Sequence, residues 1–229
     1  MVCIFSSMNN VFYLEKYFVW QGDSNEECPN VNFIPSLIRR RLTLIEKIGI
    51  FITNNLLPID ENVKIIFASR FGEWRETIKL IEQMYNEKEM SPAGFSHSVH
   101  NAALGMFTII NKLKNNYTTI ASNEDTIDSS LLEAISSKED VLLVYAEEPI
   151  PDFYKEVNKD ITEEFKHGFG FGVLLSKNIK CKDVKENVRK ILIDTTSFDI
   201  NKNTSFLEVI NFLNGNNKKF QSKYFLVKG

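Results

Sequence analysis

Apolar positions in this chain fall into segments of helical spacing and segments of strand-like runs, and the order of the two predicts an α/β fold. Residues 35–55, PSLIRRRLTLIEKIGIFITNN, place Leu37, Leu44, Ile45, Ile48 and Ile52 near helical spacing, which predicts one amphipathic helix. Pro35 stands where a first helical turn tolerates it. The apolar, β-branched run VKIIFAS at 63–69 leads at once into EWRETIKLIEQMYN, so a strand feeds a helix. A helix at 101–113, a strand at 117–121, a helix at 126–136 and a buried strand VLLVYA at 141–146 follow. Such alternation predicts a sheet with helices on its faces.

Past a looped segment through Pro149 and Pro151, HGFGFGVLLS ends as a strand-like run, and KILID at 190–194 is a further strand candidate. SFLEVINFLNG then reads as an amphipathic helix closed by Gly215 at its C-terminal cap, before a last strand-like KYFLVKG. The stretches 21–32, 111–116 and 201–204 read as surface connections, and no internal repeat is visible. The GFGFG run from Gly168 to Gly172 has two readings. A phosphate loop needs a helix opening directly after it, which is missing here. Glycines that let neighbouring groups pack close to a central strand need nothing more.

Composition narrows the picture. The 229 residues are 43% hydrophobic and 25% charged, as in an ordinary globular chain, and one domain is expected over 1–229. Twenty-seven basic against thirty acidic residues leave a net charge of −3, with no polybasic stretch, so neither nucleic acid nor an anionic lipid surface is an expected partner. The first twenty residues lack a basic n-region, and Asn9, Asn10, Glu15 and Lys16 break their apolar run, so neither a secretion signal nor membrane insertion is expected. Cys3, Cys28 and Cys181 are odd in number and widely spaced, which favours a reducing, cytoplasmic setting without disulfides or zinc. Cys28 lies among acidic neighbours that would raise its pKa, while Cys181 lies among lysines that would lower it. No cofactor and no metal are expected.

The densest cluster of chemistry-bearing residues is SPAGFSHSVHNAALG, from Ser91 to Gly105, at a loop-to-helix entry. Ser98 or Ser96 with His100, oriented by Glu124 or Asp125, would satisfy the residue types of a hydrolytic triad, but no GxSxG elbow presents the nucleophile. His100 and Asn101 equally suit a structural role, tying a helix start to a crossing loop by hydrogen bonds. His97 and His100 are three apart, with no cysteine or HExxH frame to make them metal ligands. Arg39, Arg40 and Arg41 read either as a grip for a phosphate group or as a solvated helix face with one internal ion pair.

The blocks FIPSLIRRRLTLIEKIGI, IIFASRFGEWRETIKLIEQM, MSPAGFSHSVHNAALGMFTI, TTIASNEDTIDSSLLEAI and VLLVYAEEPIP together resemble the β-ketoacyl synthase-like N-terminal domain family, which includes chain-length factor-like proteins of aryl polyene-type gene sets. The resemblance covers 12–176, with Ser91, Pro92, Phe95, Ser96, Ser98, His100, Asn101 and Gly105 as its motif; 177–229 form an extension without a signature. It implies a thiolase-like half, a mixed and mostly parallel sheet covered by helices. In active members a nucleophilic cysteine starts a buried helix. Aligning Leu131 to Ala134 with that helix implies Glu124 at the cysteine's place, give or take one residue, with Asp125 beside it.

A carboxylate cannot hold an acyl group as a stable thioester. The resemblance therefore implies a non-catalytic partner of a ketosynthase, or a homodimer, with an acyl carrier protein as a further partner that Arg39 to Arg41 would contact. Two other readings stay open: a small serine hydrolase or acyltransferase, and a module that binds acyl chains without turnover. Glu124 and Asp125 also suit simple capping of the following helix.

Overall fold

The computed structural model describes residues 10–86, 89–150, 165–178 and 188–229. Eight strands form one sheet: β1 (Asn10–Gln21), β2 (Lys64–Ala68), β3 (Tyr117–Ile120), β4 (Val141–Glu147), β5 (Phe169–Ser176), β6 (Arg189–Asp194), β7 (Lys219–Gln221) and β8 (Leu226–Lys228). Their order across the sheet is β3-β2-β4-β5-β1-β6-β8-β7. The helices are α1 (Ser36–Arg39), α2 (Leu44–Asn54), α3 (Trp74–Tyr85), α4 (Pro92–His97), α5 (Ala102–Asn111), α6 (Thr126–Ser136) and α7 (Phe206–Leu213).

The sheet is mixed, as expected, but its parallel part is smaller than expected. Among the described residues, only the pairings of β2 with β3 and with β4 are parallel, and the other five are antiparallel. Parallel neighbours need a crossover connection, and helical crossovers link β2 to β3 and β3 to β4. β1, β5 and the C-terminal strands join on the other side of β4 through antiparallel pairings.

Helices cover both faces. Ile65, Phe67, Leu142 and Val144 face α2 and α5, whereas Ile66, Leu143, Tyr145 and Phe171 face α6 and α7. All seven residues of β4 are buried, as a strand covered on both sides requires. The glycine run is explained by packing. A Cβ on Gly168, Gly170 or Gly172 would lie 2.8, 2.6 or 2.5 Å from Ile48, Ile52 or Leu56, so side chains of α2 and of Leu56 just past it rest directly on the backbone of β5 and just before it.

Several elements depart from the sequence reading: α4 and the short β7 are additions to it, and two larger departures have clear causes. The helix expected over 35–55 is two helices, because Thr43 starts α2 with a capping box: its Oγ1 accepts from Glu46 N at 3.2 Å and its N donates to Glu46 Oε2 at 2.8 Å. The twelve-residue strand β1 was not anticipated. A register shift between Leu14 and Lys16 breaks its alternation, so Phe12 and Leu14 face one layer while Phe18 and Trp20 face the other.

The C-terminal residues extend the sheet beyond β1 and are fastened to α6. Asp128, fully buried on α6, accepts from Thr204 N (2.8 Å) and Oγ1 (2.6 Å), Ser222 Oγ (2.6 Å) and Lys223 N (2.8 Å). Gly215, just past the end of α7, has φ +78, in keeping with its expected capping role. No helix among the described residues is long and apolar enough to cross a membrane.

Candidate functional site

The carboxyl ends of β2, β3 and β4 meet the start of α6, and of the residues singled out from the sequence His100, Glu124 and Asp125 lie there. β2 ends in the turn 69–72, wrapped around the buried carboxyl of Glu147 at the end of β4. Ser69 Oγ donates to Glu147 Oε2 at 3.0 Å, Phe71 N donates to the same oxygen at 3.4 Å, and Arg70 N donates to Oε1. Burial raises the Glu147 pKa to about 7 against the opposing pull of these donors. Nothing in the sequence marks this glutamate beyond its place after an apolar strand.

The same turn receives His100. Gly72 has φ +57, and a Cβ there would lie 2.4 Å from His100 Nδ1, so both backbone conformation and space demand glycine. His100 Nε2 lies 3.3 Å from Ile120 O, and the ring also meets the Ser69 backbone, while burial lowers its pKa. The imidazole thus ties the helix entry to the ends of β2 and β3. Asn101 stands at the N-cap of α5 but makes no side-chain cap bond, so that half of the structural expectation is corrected.

The hydrolytic grouping does not assemble. Ser98 Oγ donates to Phe95 O and Ser96 Oγ to Pro92 O, each at 2.9 Å, which spends both hydroxyls on their own helical turn. Ser91 caps α4 by accepting from Gly94 N at 3.3 Å, Pro92 opens that helix, and Phe95 points to solvent. A Cβ on Gly105 would meet nothing within 4 Å, so space does not require that glycine. The histidine with a carboxylate partner is His97, whose Nδ1 lies 2.6 Å from Glu46 Oε1. Only the fold brings Glu46 and His97 together.

Glu124 lies in the one-turn helix Asn123–Asp125 that precedes α6. Arg70 Nη2 reaches its Oε1 at 3.3 Å, Asn203 Nδ2 donates to its Oε2 at 3.2 Å, and Arg70 Nε donates to Asn123 Oδ1 at 3.1 Å. Beside this bridge lies a cleft of about 200 Å³, lined in part by Ile127, Tyr145, Phe165 and Ser205. Neither acidic residue caps α6 through its side chain, because Asp125 pairs instead with Lys223 Nζ at 2.7 Å. The capping expectation is therefore corrected.

Arg39 closes α1, and its Nη1 donates to Asn32 Oδ1 rather than to an acid. Arg40 and Arg41 are exposed in the turn before α2 instead of lying along one helix face. Cys28 is a free, exposed thiol whose pKa is raised, first by partial desolvation and then by Glu26. Cys3 and Cys181 lie outside the described residues. No group of three or more potential ligands that could hold a metal exists among the described residues.

Comparison with known proteins places this arrangement. The chain superposes with a TM-score of 0.67 on a structure described as the ketosynthase ApeO in complex with its chain length factor ApeC, from Xenorhabdus doucetiae; identity is 21%, covering 87% of this chain and 82% of that one. It also resembles the ishigamide ketosynthase/chain length factor, with a TM-score of 0.53 and 15% identity over 73% of this chain and 52% of that one. These likenesses show the thiolase-like ketosynthase fold. No curated protein matches the chain. The model of the β-ketoacyl synthase N-terminal domain matches residues 16–225, and the chain belongs to that family.

Proposed function

We propose that this protein is a non-catalytic partner of a ketosynthase and shapes the acyl chain that the partner builds. The observation that carries the reading is the state of Glu124. At the turn where the family resemblance sets the nucleophile, a carboxylate is held between Arg70 and Asn203, and it cannot form the thioester that condensation requires. A docked partner is further supported by the surface. Ile81, Met84, Tyr85, Phe95, Ile109 and Tyr117 are exposed on α3, α4, α5 and β3, and among the described residues β3 pairs on one side only. Aryl polyene-type chains are the expected product class, an acyl carrier protein is the expected donor, and the complex works in the cytoplasm.

Retention of the tagged protein's partners from its own cells, followed by mass spectrometry, tests this reading. Recovery of a ketosynthase in stoichiometric amount is the expected result. A clean protein with no ketosynthase, even when the two are co-expressed, overturns it.

A further inference from the structure

Among the described residues, the segment carrying α3 and α4 adds little to the core. α3 buries only Leu80 and α4 buries no residue, so apolar packing holds this arm weakly. Its base is polar. Glu46 of α2, Glu73 at the N-cap of α3 and Glu148 after β4 meet there, each nearly or wholly buried.

Two of the three carboxyl groups have strong partners. Glu46 receives Thr43 N at 2.8 Å and has His97 Nδ1 at 2.6 Å, while Glu148 receives Arg75 N at 3.0 Å and faces Arg75 Nε at 3.6 Å. Among the described residues the third has only the Thr43 hydroxyl, at 3.1 Å. Glu73 faces Glu46 on α2, Glu148 after β4 and Glu76 on its own helix, with no cation opposite it among the described residues. Lys79, the remaining charge nearby, pairs with Glu76 at 2.9 Å and acts on Glu148.

We propose that Glu73 is carried as the neutral acid, and that this one proton clasps the α3–α4 arm onto α2 and β4. Uncompensated carboxylates crowded in a buried space cannot all ionise, so the one without a cation keeps its proton. Burial first, and the charge of Glu46 second, push Glu73 up to about 9. Swinging the arm away returns Glu73 to water and to an ordinary carboxylate pKa. The closed arm is therefore fully favoured below that ordinary value, and the preference is lost as pH rises through the raised one. Because the arm contributes so little to the core, it can open without unfolding the sheet.

Hydrogen exchange of the full chain, corrected for intrinsic rates, tests the clasp between pH 7 and pH 10. Amides of α3 and α4 should lose protection by up to about tenfold per pH unit as pH rises from 7 to about 9 and level off above that, while those of β2 and β4 keep theirs. Glu73→Gln, which keeps the shape without the ionisation, should abolish that loss. A pH-independent arm, or the same loss in Glu73→Gln, overturns the proposal. Carboxyl NMR of the unmodified protein gives a check that needs no variant: Glu73 titrating below pH 6 overturns it as well.

Discussion

Two buried junctions, one at Asp128 and one at Glu73, solve the same problem in opposite ways. Asp128 collects four short hydrogen bonds from Thr204, Ser222 and Lys223, so its burial fastens the C-terminal strands and α7 to α6. Glu73 collects one hydroxyl and faces other carboxyl groups, so its burial is tolerated only with a proton aboard. A buried carboxyl joins elements firmly in proportion to its donors. Depth of burial alone says nothing of strength.

Removing the richer set of bonds has the largest expected effect. Asp128→Ala leaves several donors without an acceptor and should cost about 3–5 kcal/mol in urea unfolding, enough to detach the C-terminal strands. A cost below about 1 kcal/mol would erase the contrast between the junctions.

Packing on the glycine face gives the next effect. A Cβ on Gly170 would lie 2.4 Å from Tyr145 O and 2.6 Å from Ile52, so Gly170→Val should cost about 1–3 kcal/mol or more by forcing α2 away from β5. Denaturant midpoints measure this directly.

At the other junction the sign reverses. Both Glu73, raised to about 9, and Glu147, raised to about 7, hold protons more tightly folded than unfolded. Their contribution is fully present below about pH 4.5 and is lost as pH rises through 7 and then 9, with a slope up to about 1.4 kcal/mol per pH unit for each group. Glu73→Gln should flatten the loss between pH 7 and 9 and stabilise the protein there by about 1–3 kcal/mol. Unfolding curves at several pH values separate this from Asp128→Asn, which should destabilise throughout.

The smallest effect belongs to the exposed bridge. Glu124→Ala removes contacts to Arg70 and Asn203 that solvent largely screens, so stability should change by less than about 1 kcal/mol. Its consequence is local: a thiol placed at Ser205, on the cleft wall, should react faster with a maleimide in the Glu124→Ala background. Equal rates would mean that the bridge does not cover the cleft.

Much of the fold was legible because local pattern and tertiary role agree. The runs at 63–69 and 141–146, buried on both sides, showed as continuous apolar strands, and the helices before and after them kept their apolar stripes. β1 was obscured by its bulge, which moves the inward positions from one face to the other midway. The break at Arg40 was written in the Thr43–Glu46 spacing, a capping signal outweighed by the apolar periodicity around it. At the site, the motif residues and Glu124 could be named, but Arg70, Glu147, Asn203 and the His97–Glu46 pair could not. Their partners lie tens of residues away in the chain.

By itself the sequence determined most of the helices and the central strands, where glycine must allow close approach, and that the turn before α6 carries carboxylates. These are local properties, decided by side-chain periodicity, backbone freedom and chemical identity within a few residues. Only the tertiary structure decided that the sheet is largely antiparallel, that Asp128 and Glu73 face such different company, and that Glu124 is held between two distant segments. Burial, charge and hydrogen-bond supply are properties of the space around a residue, and that space is filled by parts of the chain far from it in sequence.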